Sequence, residues 1–243
     1  MKLLTAGVFL IAGCLTVNAE TITYVTPAGS TTAGGAVDAS ATFVTGAGTL
    51  SITLKDLLVD PTNVAQLISD LDFTLSNGAT SGTLASSSGQ EITVNSNGTF
   101  TLGSTVDTGW LLNSIVGGLE LNVLGTPTGP SHLIIGPPGA GGTYDNANGS
   151  IAGNPPHNPF LNQSATFTLD IAGVTDSTII TGATFSFGTV AGQNNVPGTP
   201  GGPPSRVPEP ATYVLLASGL GLVALMQKFR KSKSVGRDSS ARV

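Results

Sequence analysis

Apolar and polar residues alternate along most of the body of the chain. Apolar residues spaced two apart lie on one face of a β-strand, so this pattern is typical of strands with one buried face. Two such runs flank residues 45–49, a loop with two glycines that we expect to close a hairpin. The apolar positions of these runs are Val37, Ala39, Ala41 and Phe43, followed by Leu50, Ile52 and Leu54.

The same alternation recurs between turn residues further along the chain. Asn97-Gly98 is the strongest hairpin signal, because this dipeptide suits the left-handed backbone of a two-residue turn. Apolar residues two apart precede it (Ile92, Val94) and follow it (Phe100, Leu102). Further strands are predicted at residues 71–75, 80–85, 119–124, 165–171 and 179–190. Short strands separated by turns predict an all-β fold, an antiparallel β-sandwich.

One segment of the body changes period. Val64, Leu67, Ile68 and Leu71 fall at i, i+3, i+4 and i+7, the spacing of one helical face. Pro61 suits a first helical turn, where its missing N–H costs nothing. We therefore predict one short helix over residues 60–71.

Two other segments follow neither period. Residues 125–159 are rich in Pro, Gly and Asn and are too long for an ordinary connection, so we expect a packed surface excursion or a working loop. Residues 193–206 are predicted to be a Pro/Gly-rich spacer. The extracellular β-sandwich domain is then expected at residues 20–192.

The C-terminal segment has three parts in order. It begins with Val207, Pro208, Glu209 and Pro210, where the prolines oppose helix formation. Residues 211–227 carry no charge and predict a short transmembrane helix: as a helix, the sixteen residues from Ala211 to Met226 rise ~24 Å against a hydrocarbon core of ~30 Å. A basic tail at 228–243 follows and predicts a cytoplasmic anchor. Its first basic residues are Lys228, Arg230, Lys231 and Lys233. The alternative is a buried core helix with a solvated tail.

This order of motif, short apolar span and basic tail resembles the PEP-CTERM sorting signal of Gram-negative bacteria. The resemblance covers residues 207–243 and implies recognition and cleavage by exosortase, a membrane-embedded cysteine peptidase. It also implies transient contact with the cytoplasmic membrane and an association with exopolysaccharide. The tail departs from the family pattern, because it is longer than usual and is diluted by serines.

The N-terminus has the composition of a secretory signal peptide over residues 1–19. Lys2 is followed by an apolar stretch and by small residues, so we predict cleavage between Ala19 and Glu20. The alternative is a lipobox ending at Cys14, which would make that residue a lipidated N-terminus. Cys14 is the only cysteine, so cleavage at Ala19 would leave no disulfide or thiolate metal ligand.

The charge of the exported body argues against nucleic acid as a partner. Between the two sorting segments, Lys55 and Arg206 are the basic residues and face twelve acidic ones between Glu20 and Asp176. Such a negative surface repels phosphate backbones and anionic membranes.

Candidate catalytic and binding residues are few. His132 and His157 are the available neutral-pH bases, and Asp145 is near them in sequence, but we expect loop histidines that are exposed or bonded to backbone. Residues 145–149 hint at a calcium loop, but Ala147 stands where a side-chain oxygen is needed, which favours a turn. Trp110, Tyr24 and Tyr144 are a thin supply of sugar-stacking aromatics, and Trp110 beside two leucines is predicted to be core. We expect no catalytic site, metal or cofactor.

The predicted protein is an exported, non-catalytic component of the cell surface, extracellular matrix or biofilm, processed by exosortase. It would be anchored transiently in the inner membrane and then lie at the outer surface or outside the cell. The alternative is an adhesin or carbohydrate-binding module that acts on exopolysaccharide through residues 125–159. A secreted hydrolase using either histidine is a third reading.

Overall fold

The computed structural model describes residues 19–202 and 205–207. Within them, fourteen strands join one hydrogen-bonded sheet, and β2 and β3 form a separate pair. A 3₁₀ turn, Val64–Gln66, is the helical element of this part of the chain. The strands are β1 (Ala19–Val25), β2 (Thr31–Thr32), β3 (Gly35–Ala36), β4 (Ala39–Gly46), β5 (Thr49–Asp56), β6 (Ile68–Leu75), β7 (Thr83–Val94), β8 (Phe100–Val106), β9 (Leu111–Ile115), β10 (Gly118–Asn122), β11 (Ile134–Ile135), β12 (Phe160–Asp170), β13 (Ile180–Phe187), β14 (Asn195–Pro197), β15 (Thr199–Pro200) and β16 (Ser205–Val207).

The sheet folds over on itself into two groups of strands. One group runs β1–β4–β5–β12–β7–β8, with β15 and β16 both on the free edge of β1. The other runs β14–β13–β6–β10–β9. The short strand β11 joins the groups, because Ile134 pairs in parallel with Leu161 of β12 and antiparallel with Ile68 of β6. The predicted all-β, mostly antiparallel class is confirmed, but the two layers expected of a sandwich are here parts of one continuous sheet.

The hydrophobic core lies between the two groups of strands. In β4 and β5 every second side chain is buried, as the alternation predicted. Phe43 of β4 packs against Phe73 of β6 with ring centroids 5.7 Å apart, and the Tyr24 hydroxyl of β1 donates to the Ile180 carbonyl of β13 at 2.9 Å. These contacts cross from one group to the other, so apolar burial holds the fold closed.

Both predicted hairpins are confirmed. β4 and β5 pair with Phe43 opposite Ile52 around a tight turn that ends at Gly48, whose φ is 77°. β7 and β8 pair around Asn97-Gly98, and Gly98 has a φ of 81°, which glycine adopts without strain. In each case the turn residues set the register of the strands that they join.

The predicted helix over residues 60–71 is wrong. Only Val64–Gln66 is helical, and Leu67 is already extended, with φ −86° and ψ 142°. The Gln66 side chain closes the turn by accepting from the backbone N–H of Thr62 at 2.7 Å and of Asn63 at 3.0 Å. Strand β6 then follows, and its first four residues are all buried. A strand buried on both faces loses its alternation, so its apolar spacing can imitate that of a helix.

The predicted spacer at 193–206 is also corrected for the residues that the structure describes. β14 pairs with β13, and β15 and β16 pair with β1. These strands give hydrogen-bond partners to two edges that would otherwise be open to pairing with other chains. Pro197 and Pro200 are compatible with such positions, because an edge strand does not need every N–H.

The segment 125–159 is the packed excursion that the sequence allowed. It contains β11, and several of its side chains are fully buried, among them Leu133, Tyr144 and Ile151. Tyr144 donates its hydroxyl to the Gly136 carbonyl at 2.9 Å, which ties the segment to itself.

Candidate functional site

The two ends of the described chain lie side by side at one edge of the sheet. Ala19 pairs with Val207 and Glu20 with Arg206, because β1 and β16 are antiparallel neighbours. The predicted signal-peptide boundary and the first residue of the predicted sorting motif therefore face each other across one strand pair.

The rest of the predicted sorting signal lies outside the described residues. This holds for Pro208, Glu209 and Pro210, for the span at 211–227, and for the basic residues that follow it. The same is true of residues 1–18, including Cys14. In residues 19–202 and 205–207, no helix has the length and apolar character needed to cross a membrane.

His132 is buried and well bonded. Its side-chain Nδ1 lies 2.9 Å from the Thr108 carbonyl oxygen, and its Nε2 lies 3.2 Å from Oε1 of Glu91. Its own carbonyl accepts from the indole N–H of Trp110 at 3.0 Å. The bond to the Thr108 backbone agrees with the expectation of a histidine bonded to backbone. The burial of His132 does not agree with the alternative, an exposed loop histidine.

His157 is hydrogen-bonded to different residues from those that contact His132. Its Nδ1 is 2.6 Å from the Ser150 backbone carbonyl and 3.1 Å from Nδ2 of Asn154. Asp145 is bonded to the Thr143 hydroxyl instead. Among the described residues, neither histidine is hydrogen-bonded to a serine hydroxyl, so the structure does not assemble the serine–histidine–aspartate arrangement.

The aromatic residues considered for sugar stacking are buried. Trp110 is 2% exposed and packs on Phe167 with centroids 5.3 Å apart, which confirms its predicted place in the core. Tyr24 and Tyr144 are also buried, and each donates its hydroxyl to a backbone carbonyl. These rings are therefore not available as open platforms for a sugar.

The loop at 145–149 is built from local turns. Asn146 donates to Asp60 at 2.9 Å, and Asn148 Oδ1 accepts from the Ser150 N–H at 2.9 Å. The amide side chains thus bond to protein groups, as expected of turn residues.

A cleft of about 510 Å³ lies where the end of β7 meets residues 153–159. Asn158 lines it, but its Oδ1 accepts from the Val94 N–H at 2.9 Å and its Nδ2 donates to the Val94 carbonyl at 3.2 Å. Asn95 also lines it and donates to the Thr99 hydroxyl at 3.0 Å. The side-chain amides of Asn95 and Asn158 are thus engaged in hydrogen bonds within the protein.

Three carboxylates that the sequence pattern does not bring together meet on β6 and β10. The oxygens of Asp70, Asp72 and Glu120 lie within 4.8 Å of one another, and we call this group the acidic cluster. Glu120 is directly opposite Asp72 in the β6–β10 register. The sequence does show two acids, Asp70 and Asp72, two residues apart in an otherwise apolar strand. It does not show that β10, which carries Glu120, pairs with that strand.

Burial governs the electrostatics of the acidic cluster. Asp70 is 1% exposed, and its burial raises its pKa to about 7, while the Ser186 hydroxyl opposes the shift and Asp72 and Glu120 add to it. Burial also raises the pKa of Asp72, with a further contribution from Glu120. Both pKa values are raised, which means that the ionised carboxylates lack enough hydrogen bonds or positive charges to compensate for their burial.

The fold and the order of segments along the chain together define a class of protein: an all-β domain that is followed in sequence by a C-terminal sorting signal. The family model described as the PEP-CTERM protein-sorting motif matches residues 206–231, so the chain carries this motif. The match begins inside β16 and includes the Pro-Glu-Pro sequence, the apolar run and the first three tail cations. No curated protein and no solved structure matches the chain.

Proposed function

We propose that this protein is exported, held transiently in the inner membrane by residues 211–227, and processed by exosortase at Val207–Pro210. The signal peptide would be removed between Ala19 and Glu20, and the basic tail would remain on the cytoplasmic side. The observation that carries the proposal is the sorting-motif match at residues 206–231.

The chemistry of the motif supports recognition by a protease at the membrane face. A protease binds its substrate in an extended form, whereas a helix holds its scissile carbonyl in internal hydrogen bonds. Pro208 and Pro210 disfavour a helix, and Glu209 offers a carboxylate that a basic enzyme site could bind. β16 is extended up to Val207, which supports an extended approach to the motif.

We further propose that the mature domain is a non-catalytic component of the cell surface, extracellular matrix or biofilm. The hydrogen bonding of the two histidines supports this reading, since both are engaged with structural partners. The short strands β14, β15 and β16 support a stable exported domain, because they pair along edges of β13 and β1 that other chains could otherwise pair with.

The test replaces Pro208, Glu209 and Pro210 with Ala-Ala-Ala. One epitope is placed in the β9–β10 turn at Val116-Gly117, where Val116 is fully exposed, and a second follows Val243. In a host with an exosortase, wild type should lose the second epitope and leave the membrane fraction. The variant should keep both epitopes and accumulate in the membrane.

A matched control replaces Pro203 and Pro204 with Ala-Ala, which removes two prolines outside the motif. We expect this control to be processed like wild type, as seen on immunoblots of cell fractions. If wild type and the Pro-Glu-Pro variant are processed equally, or if wild type keeps its tail, the C-terminus is a plain anchor and the proposal is wrong.

The second candidate, an adhesin or carbohydrate-binding module acting on exopolysaccharide, receives no support from the cleft at residues 153–159. Its amide groups are engaged within the protein, and its lining includes no aromatic side chain. A binding measurement with the host exopolysaccharide separates the two: saturable binding would favour the adhesin over the matrix component.

A further inference from the structure

The acidic cluster is a built feature of the sheet. Asp70 and Asp72 point to the same side of β6, because side chains two apart share a face, and the core-facing Leu71 and Phe73 lie on the other side. Glu120 is opposite Asp72 on β10, so the register of the two strands brings the third carboxylate to the group.

Like charges directly opposite each other on neighbouring strands are destabilising. Here Asp72 and Glu120 form such a pair, and Asp70 adds a third negative group on the same face. Within residues 19–202, the one close contact between a basic and an acidic side chain is His132 Nε2 to Glu91 Oε1 at 3.2 Å, so the cluster has no basic partner in that part of the chain.

Two of the carboxylate oxygens in the cluster lack hydrogen bonds. Oδ2 of Asp70 and Oδ1 of Asp72 are buried, and no hydrogen-bond donor reaches either atom. The whole Asp70 residue is 1% exposed. Glu120 accepts one bond, from Nδ2 of Asn113 at 2.8 Å, through Oε2. A buried acceptor without a partner is costly, so these oxygens are positioned for a ligand that carries positive charge.

We infer that Asp70, Asp72 and Glu120 bind a hard divalent cation, calcium, on the face of β6 opposite the core. Calcium takes oxygen ligands at about 2.3–2.6 Å, so two ligands on one ion can be up to ~5 Å apart. The spread of the cluster, within 4.8 Å, fits this span. All-oxygen ligand sets favour calcium or magnesium over zinc or copper. The inference does not depend on processing by exosortase.

The test is thermal unfolding of the full-length chain in a mild detergent, followed by fluorescence of Trp110, the only tryptophan. The probes are CaCl₂, MgCl₂ and NaCl at matched ionic strength. With a Kd of about 1 mM, typical of extracellular calcium sites, about 10 mM CaCl₂ should raise the folding equilibrium constant about tenfold and increase Tm by a few degrees. MgCl₂ should give a smaller shift and NaCl none.

The variants are Asp70→Asn and, in case that buried substitution prevents folding, Glu120→Gln, which can keep the bond from Asn113. Either should abolish the calcium-dependent increase in Tm. Asp170→Asn is the matched control, since Asp170 is exposed at the end of β12 and lies outside the cluster; it should respond to calcium like wild type. An equal shift with NaCl or MgCl₂, no shift with CaCl₂, or an undiminished response in Glu120→Gln would overturn the inference.

Discussion

Replacing His132 with Ala should destabilise the protein strongly, even though this residue lies in an irregular segment. Its Nδ1 lies 2.9 Å from the carbonyl of Thr108, a fully buried residue. Because Thr108 has no access to water, its carbonyl would lose its partner without gaining another, at a cost of about 1–3 kcal/mol.

The backbone adds a second cost. His132 has a φ of 61°, in the left-handed region, where Ala is less well tolerated than Asn or His, by about 1 kcal/mol. The expected total is therefore about 2–4 kcal/mol of unfolding free energy, a large fraction of the stability of a typical domain. His132→Asn, which suits this φ but cannot reproduce the imidazole contacts, should recover only the backbone part.

His157→Ala is the matched control, because the same residue type is removed from the same segment. His157 is half-buried and its main bond, at 2.6 Å, is to the Ser150 carbonyl, so we expect a loss of about 0.5–1.5 kcal/mol.

The assay is urea unfolding of the full-length chain in a mild detergent, followed by Trp110 fluorescence and by circular dichroism. The indole N–H of Trp110 donates to the His132 carbonyl, so fluorescence reports this site, while circular dichroism reports the whole sheet. A loss below about 0.5 kcal/mol for His132→Ala, or a loss equal to that of His157→Ala, would refute the reasoning.

Two further predictions concern pH and processing. Burial raises the pKa of Asp56 well above its usual range, so the folded state keeps a proton that the unfolded chain releases near pH 4, and stability falls as pH rises through the folded pKa. Asp56→Asn can still accept from the Leu58 N–H. Its melting temperature should exceed that of wild type by a larger margin at pH 8 than at pH 4, and a margin that does not change with pH would contradict this. The secreted form should begin at Glu20 by N-terminal sequencing, and a lipid-modified Cys14 would instead indicate a lipoprotein.

Local patterns were sufficient for much of this protein. The alternation in β4 and β5 predicted their buried faces, and the glycine turn between them set their register, because both depend on residues adjacent in sequence. The Asn97-Gly98 hairpin was predictable for the same reason. The sorting motif could also be recognised, since it consists of consecutive residues whose order carries its chemistry.

Other features depended on which strands meet. The first four residues of β6 are all buried, so both faces of the strand are covered there, and this double burial, not visible in the sequence, made the start of β6 resemble a helix. The residues expected to form a spacer instead became strands, because β1 and β13 offered open edges to them.

The same reason separates the two candidate sites. The Pro-Glu-Pro motif is determined by the sequence alone, because its residues are neighbours along the chain. The acidic cluster was decided only by the tertiary structure, since Asp72 and Glu120 come together through the register of β6 and β10. Likewise, His132 lies in a loop by its sequence but is buried by its contacts with Thr108 and Glu91, which belong to distant parts of the chain. Burial and charge proximity arise from long-range packing, and local composition does not specify them.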